Sequence, residues 1–146
     1  MSTDEAVTKD VLETLEDGKD GYTKGAEKLE GLGNTALVQQ FRTLAGQRTK
    51  FADELQTMAK AYGDDPDRSG SVVATLHRGW MSLKDALSKD SVEAVVTTAQ
   101  QGDDHAITEY EKALGEDISA DLRIVLERQL AEIRAARQSL VAPATN

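Results

Sequence analysis

The stretch TALVQQFRTLAGQRTKFADELQTMAKAY, Thr35 to Tyr62, decides the fold. Leu37, Phe41, Leu44, Arg48, Phe51, Leu55, Met58 and Tyr62 follow one another at steps alternating between four and three. That spacing draws one stripe along a helix, because residues three and four apart share a face. Seven of the eight positions are apolar or aromatic. The eighth is Arg48, a cation in the middle of a seam that otherwise asks to be buried.

The same period recurs on both sides. Upstream, about Asp4 to Glu30, the stripe is Leu12, Leu15, Tyr22, Ala26 and Leu29, ended by Gly31 and Gly33, with Asn34 placed to cap the next helix. Downstream, about Val92 to Leu114, it is Val92, Val96, Ala99, Asp103, Ala106, Tyr110 and Ala113. About Ala120 to Val141 it is Leu122, Leu126, Gln129, Ile133, Ala136 and Leu140, with Ser119 as cap and Pro143 beyond the end. Strand-like alternation is almost missing. Between the second and third long helices stands the turn-rich linker GDDPDRSGS, Gly63 to Ser71. A shorter helix, capped by Ser71, is expected over VVATLHRGWMSLKDALS, with Val73, Leu76, Trp80, Leu83 and Leu87 as its stripe.

Short loops within each pair of long helices make antiparallel neighbours, and about thirty residues between the pairs allow a crossover running back along the bundle. The expected fold is all-α: a ferritin-like four-helix bundle with one long crossover connection carrying a short fifth helix. His77 and Trp80 are its crossover-helix anchor. The 146 residues fit one domain, with 1–6 and 142–146 as frayed tails.

Composition narrows the function. Charged residues make up 29% and the hydrophobic set 39%, as in a globular domain. A formal charge of −9, with no basic stripe, argues against nucleic-acid binding. The lack of cysteine removes disulfides, thiol catalysis and thiolate metal sites. The acidic start MSTDEAVTKD is unlike a signal peptide and no apolar run reaches spanning length, so a cytoplasmic protein with no membrane association is expected.

Three stripes are interrupted near mid-helix, by Arg48, Asp103 and Gln129, and the first offers Gly18 or Lys19 at that level. Counting outward from the turns places Gly18 opposite roughly position 46, Asp103 opposite roughly 131, and Arg48 level with roughly 105. The counts converge on one layer. A buried guanidinium needs a carboxylate, and Gln129 can satisfy donors that one aspartate leaves free. Two readings stay open: an interior Arg48–Asp103–Gln129 polar cluster, or Arg48 snorkelling along the bundle edge to a surface acid. Gly18, Gly21 and Gly25 cost about 1 kcal/mol each inside a helix, so that helix has to approach something closely or make room for a long side chain.

The stretches LEDGKDGYTKGAEKL (15–29), FRTLAGQRTKFADEL (41–55), GSVVATLHRGWMSLKDAL (70–87), QGDDHAITEYEKAL (101–114) and VLERQLAEIRAAR (125–137) carry a resemblance. The chain resembles bacterial ferritin-like four-helix-bundle proteins known only as a domain of unknown function. The resemblance implies the ferritin-like fold and no particular activity.

Ferritin-like carboxylate proteins hold two metals with a carboxylate from each of two helices and Glu-x-x-His from each of the others. QRTKFADEL resembles the run in which Glu-x-x-His precedes Ala, and at the matching positions it has Arg48 and Phe51. On the last helix Leu130 and Ala135 follow Glu127 and Glu132 at the places a histidine would take. Glu13, Glu16, Asp17 and Asp20 lie on the first helix without a clear place on the seam. The expectation is therefore no cofactor and a non-enzymatic structural or interaction protein, acting through an unidentified protein partner or as a homo-oligomer. Val38, Val95 and Ile107 offer apolar positions for a second subunit or for the crossover. The alternative is a di-iron or manganese oxidoreductase or storage protein with a non-standard site built from Glu16, Asp17, Asp103, Asp104 and His105. A third reading places a small-molecule pocket under Trp80.

Overall fold

The computed structural model describes residues 3–64 and 79–141. Among the described residues five helices pack together: α1 (Thr3–Gly31), α2 (Thr35–Ala61), a short α3 (Leu83–Leu87), α4 (Val92–Leu114) and α5 (Ala120–Ser139). No strand occurs among the described residues. None of these helices is long and apolar enough to cross a membrane.

The helix ends follow local chemistry. The Asn34 side chain accepts a hydrogen bond from the Leu37 amide at 3.1 Å, and Gly33 supplies the positive φ (78°) that turns the chain between α1 and α2. Ser91 caps α4 by accepting from the Ala94 amide, and Ser119 caps α5 by accepting from Leu122.

The four long helices form a ring in which sequence neighbours are antiparallel. Lys28 near the end of α1 meets Asp90 before the start of α4, and Asp4 at the start of α1 accepts from the Ser119 amide beyond the end of α4. Hence α1 and α4 also run antiparallel. Gln40 donates to Ser139 at one end of the α2–α5 seam, and Arg128 pairs with Glu54 lower down it, which makes that pair antiparallel too. The helices α2 and α4 run parallel and face each other across the centre. The backbones of α2 and α5 stand farther apart than those of the other three neighbouring pairs.

The crossover differs from its expectation. Residues 65–78, including Ser71, Val73, Leu76 and His77, lie outside the described residues. The described helix covers only Leu83–Leu87, and Trp80 precedes it instead of lying on its stripe. Gly79 explains the difference, since its φ of +78° breaks any helix running through it. Trp80 is 2% exposed and wedges between α1 and α4. A methyl group built on Gly21 would lie 2.4 Å from its ring, and one on Gly102 would lie 2.3 Å from it. Two of the first-helix glycines thus make room for side chains, Gly21 for Trp80 and Gly25 for Phe41, whereas a methyl group on Gly18 would meet Arg48 only at ordinary contact distance.

The apolar interior comes in two blocks. One gathers Val11, Leu15, Phe51, Leu55, Leu126 and Ile133, the other Tyr22, Phe41, Trp80, Val96, Ala99 and Leu140. Val95 belongs to the second block, with Val38 packed against it, while Ile107 packs against the first. Between the blocks lies a polar layer.

Candidate functional site

Four helices deliver side chains to that layer. Arg48 sits mid-way along α2 on the buried face and is 1% exposed, so its guanidinium enters the interior. Asp103, on the parallel helix α4 across the centre, is 0% exposed. Arg48 Nη1 donates to Asp103 Oδ1 at 2.9 Å, and the Tyr22 hydroxyl of α1 donates to Asp103 Oδ2 at 2.6 Å. Both carboxylate oxygens are engaged. The guanidinium carbon also lies 5.3 Å from the centroid of the Tyr22 ring, within cation–π range. A methyl group on Gly18 would stand 3.4 Å from Nη1 and 3.5 Å from Cγ of Arg48, in ordinary van der Waals contact, so the Arg48 side chain packs directly beside the α1 backbone at that point.

Electrostatics holds this arrangement in one state. Burial, the largest single influence, acts to lower the Arg48 pKa, but the charge and hydrogen bond of Asp103 together with the two tyrosines Tyr22 and Tyr110 outweigh it, so the net direction is upward and the guanidinium stays charged. Burial, then the Asp103 charge, pushes the Tyr22 hydroxyl well above the ordinary tyrosine range, so it remains a donor. The enclosed carboxylate is tolerated because both its oxygens accept hydrogen bonds and one of them faces a cation.

Gln129 is buried in the same layer but joins different partners from those expected. Its Oε1 accepts from the Tyr110 hydroxyl at 2.7 Å. Its Nε2 donates to the Phe51 carbonyl at 3.3 Å and to Glu54 Oε1 at 2.9 Å. The spare Arg48 donor Nε goes instead to Gln47 Oε1 at 3.0 Å. The geometric reason is position along the helix: Gln129 lies level with Phe51 and Glu54, about one turn beyond Arg48. Glu54 is held below the ordinary glutamate range by its hydrogen bond from Arg128, assisted by Gln129 against a smaller opposing effect of burial.

The layer therefore contains two networks, Tyr22–Asp103–Arg48–Gln47 and Tyr110–Gln129–Glu54–Arg128. Tyr22, Tyr110, Gln47 and Glu54 were not singled out from sequence as polar participants. A usable signal existed for the tyrosines, since a phenol on a buried stripe needs a partner for its hydroxyl. Gln47 and Glu54, beside the seam, carried no comparable mark.

The other candidate residues are dispersed. Asp104 pairs with Arg137 at 2.8 Å on the surface, and Glu16 with Lys19 at 2.8 Å. His105 lies 3.8 Å from Glu109 and packs beneath Gly79. Asp17 is buried on α1 next to Gly18. Among the described residues no group of three or more His, Cys, Asp or Glu side chains is placed to hold a metal ion. The space under Trp80 is filled by its own ring, edge-on to Tyr22 at 5.1 Å, and by Gly21 and Gly102.

No curated protein matches the chain. The family model of the domain of unknown function DUF2383 matches residues 5–116, from the first turn of α1 to just past the end of α4, and the chain belongs to that family.

Proposed function

We propose that the chain is a ferritin-like four-helix bundle whose centre holds fixed charge in place of a bound cation, and that it works as a cytoplasmic structural or interaction protein. The connectivity supports the ferritin-like part: two antiparallel pairs, α1–α2 and α4–α5, with α2 and α4 parallel across the centre as a long crossover requires.

The carrying observation is the double engagement of Asp103 by Arg48 and Tyr22. Hard metal ions need several oxygen or imidazole donors converging on one point. The residues of the layer do not fit a di-metal centre. Its carboxylate has both oxygens bonded, its second-helix positions are Arg48 and Phe51, and Leu130 and Ala135 stand where the last helix would supply imidazole. A cation at Asp103 would also meet the Arg48 guanidinium at contact distance.

The experiment is elemental analysis of protein purified without a metal-affinity tag after growth with added iron and manganese. Near-zero metal per chain is the expected result. Stoichiometric, firmly held iron or manganese would overturn the proposal.

A further inference from the structure

The Arg48 side chain has more donors than its partners use. Nη1 serves Asp103 and Nε serves Gln47, while Nη2 is buried without a hydrogen-bond partner. An unmet buried donor on a cation costs more than an unmet neutral one, so this atom points to a missing acceptor. Its direction follows from covalent geometry. In a planar guanidinium Nε–H and one Nη2–H are parallel and form a single fork, which matches the two oxygens of a carboxylate. Because Nε points at Gln47, Nη2 points to the same side.

Gln47 lines the α2–α5 seam, the neighbouring pair with the widest backbone separation, and Arg48 lies directly behind it. The seam contains a groove of about 420 Å³ lined by Gly46, Gln47, Lys50, Phe51, Glu54 and Arg128, among others. Nothing lies within 4 Å of the position a Gly46 methyl group would take, so the groove is open beside Gln47. Gln47 itself is half-buried and presents one oxygen to a fork built for two. On the rim, Glu54 and Glu132 face Arg128 and Lys50, so the lining charges balance and the fork supplies the selectivity.

From this geometry we infer that the α2–α5 groove is a binding site for a small free carboxylate, which displaces the Gln47 amide and takes Nε and Nη2 of Arg48 together. Asp103 keeps Nη1, so the central ion pair survives binding. The site adds a ligand to the proposed interaction protein and requires no chemistry at its centre.

The test follows the Arg48 Nε–H resonance of the full chain by NMR during titration with acetate and with benzoate, against chloride at matched ionic strength. A saturable shift with the carboxylates and none with chloride is expected. Gln47→Ala, which removes the competing oxygen, should tighten binding about fivefold, the equivalent of one hydrogen bond no longer displaced. Gln47→Glu places a tethered carboxylate on the fork and should abolish binding while the melting temperature holds or rises. A blocked aspartyl tripeptide, too bulky to pass between the helices, should behave like chloride. Absence of a saturable shift in the natural chain and in Gln47→Ala would overturn the assignment and leave water as the Nη2 acceptor. Persistence of the shift in Gln47→Glu, or equal binding of the tripeptide, would overturn it as well.

Discussion

Replacing Arg48 with Met, close in shape and without charge, isolates the energetics of the central layer. In Arg48→Met, Asp103 keeps only the Tyr22 hydroxyl, and a 0% exposed carboxylate loses its counter-charge. Breaking a buried pair from one side costs about 3–5 kcal/mol. Spread over a chain of this size, that lowers the melting temperature by roughly 10–20 °C. The cost belongs to the stranded charge, not to the lost contact. Removing the whole set, Arg48→Met with Asp103→Leu and Tyr22→Phe, therefore leaves nothing unpaired and should bring stability back to within about 1 kcal/mol of the natural chain, or above it. Asp103→Leu without Tyr22→Phe would not suffice, because the phenol hydroxyl would be orphaned at a cost of about 1–3 kcal/mol. Equilibrium urea unfolding, with unchanged dependence on denaturant, measures each quantity. Single and triple variants of equal stability, or an Arg48→Met cost below about 1 kcal/mol, would refute the reasoning.

Other predictions rest on separate features. Gly102→Ala puts a methyl group 2.3 Å from the Trp80 ring and should cost about 2 kcal/mol in thermal or urea unfolding, despite alanine's better helix propensity. Gly46→Ala meets nothing within 4 Å and should stabilise by about 0.5–1 kcal/mol in the same assays. Burial raises the Tyr22 and Tyr110 hydroxyls above their unfolded value near 10, so their contribution is complete below that pH and is lost as the pH climbs past it. Stability should then fall by up to about 2.7 kcal/mol per pH unit for the two groups together. Phenolate absorbance in the folded chain should report only the exposed Tyr62, the other two ionising with unfolding. Trp80→Ala should cost about 3–5 kcal/mol by the same denaturant assay, since it empties a slot that two glycines shape around one ring.

The helices were legible in the sequence because their stripes are long and their caps conventional: Leu37 to Met58 on α2 and Ser119 before α5 need no tertiary information. Arg48 and Asp103 stood out for the same reason, as charges interrupting an apolar period. Partner choice was less visible. Periodicity shows which face a side chain leaves from, whereas a hydrogen bond depends on a fraction of a helical turn, and that fraction sent Gln129 to Phe51 and Glu54. The tyrosines hid within the apolar stripes because most of their surface is apolar. A stripe of leucines through Trp80 suggests a helix there, while the decisive residue is its neighbour Gly79, whose positive φ periodicity does not encode.

The diagonal Arg48–Asp103 contact also acts as a registry pin. The apolar seams repeat every three or four residues, so sliding α2 by one turn would find new leucine pairings at little loss. The same slide carries Arg48 about 5.4 Å from Asp103 and strands two charges at once. The two partners are 55 residues apart in sequence and lie on opposite sides of the crossover. One ion pair thus excludes the slipped alignments of the two helical hairpins that hydrophobic patterning by itself would tolerate.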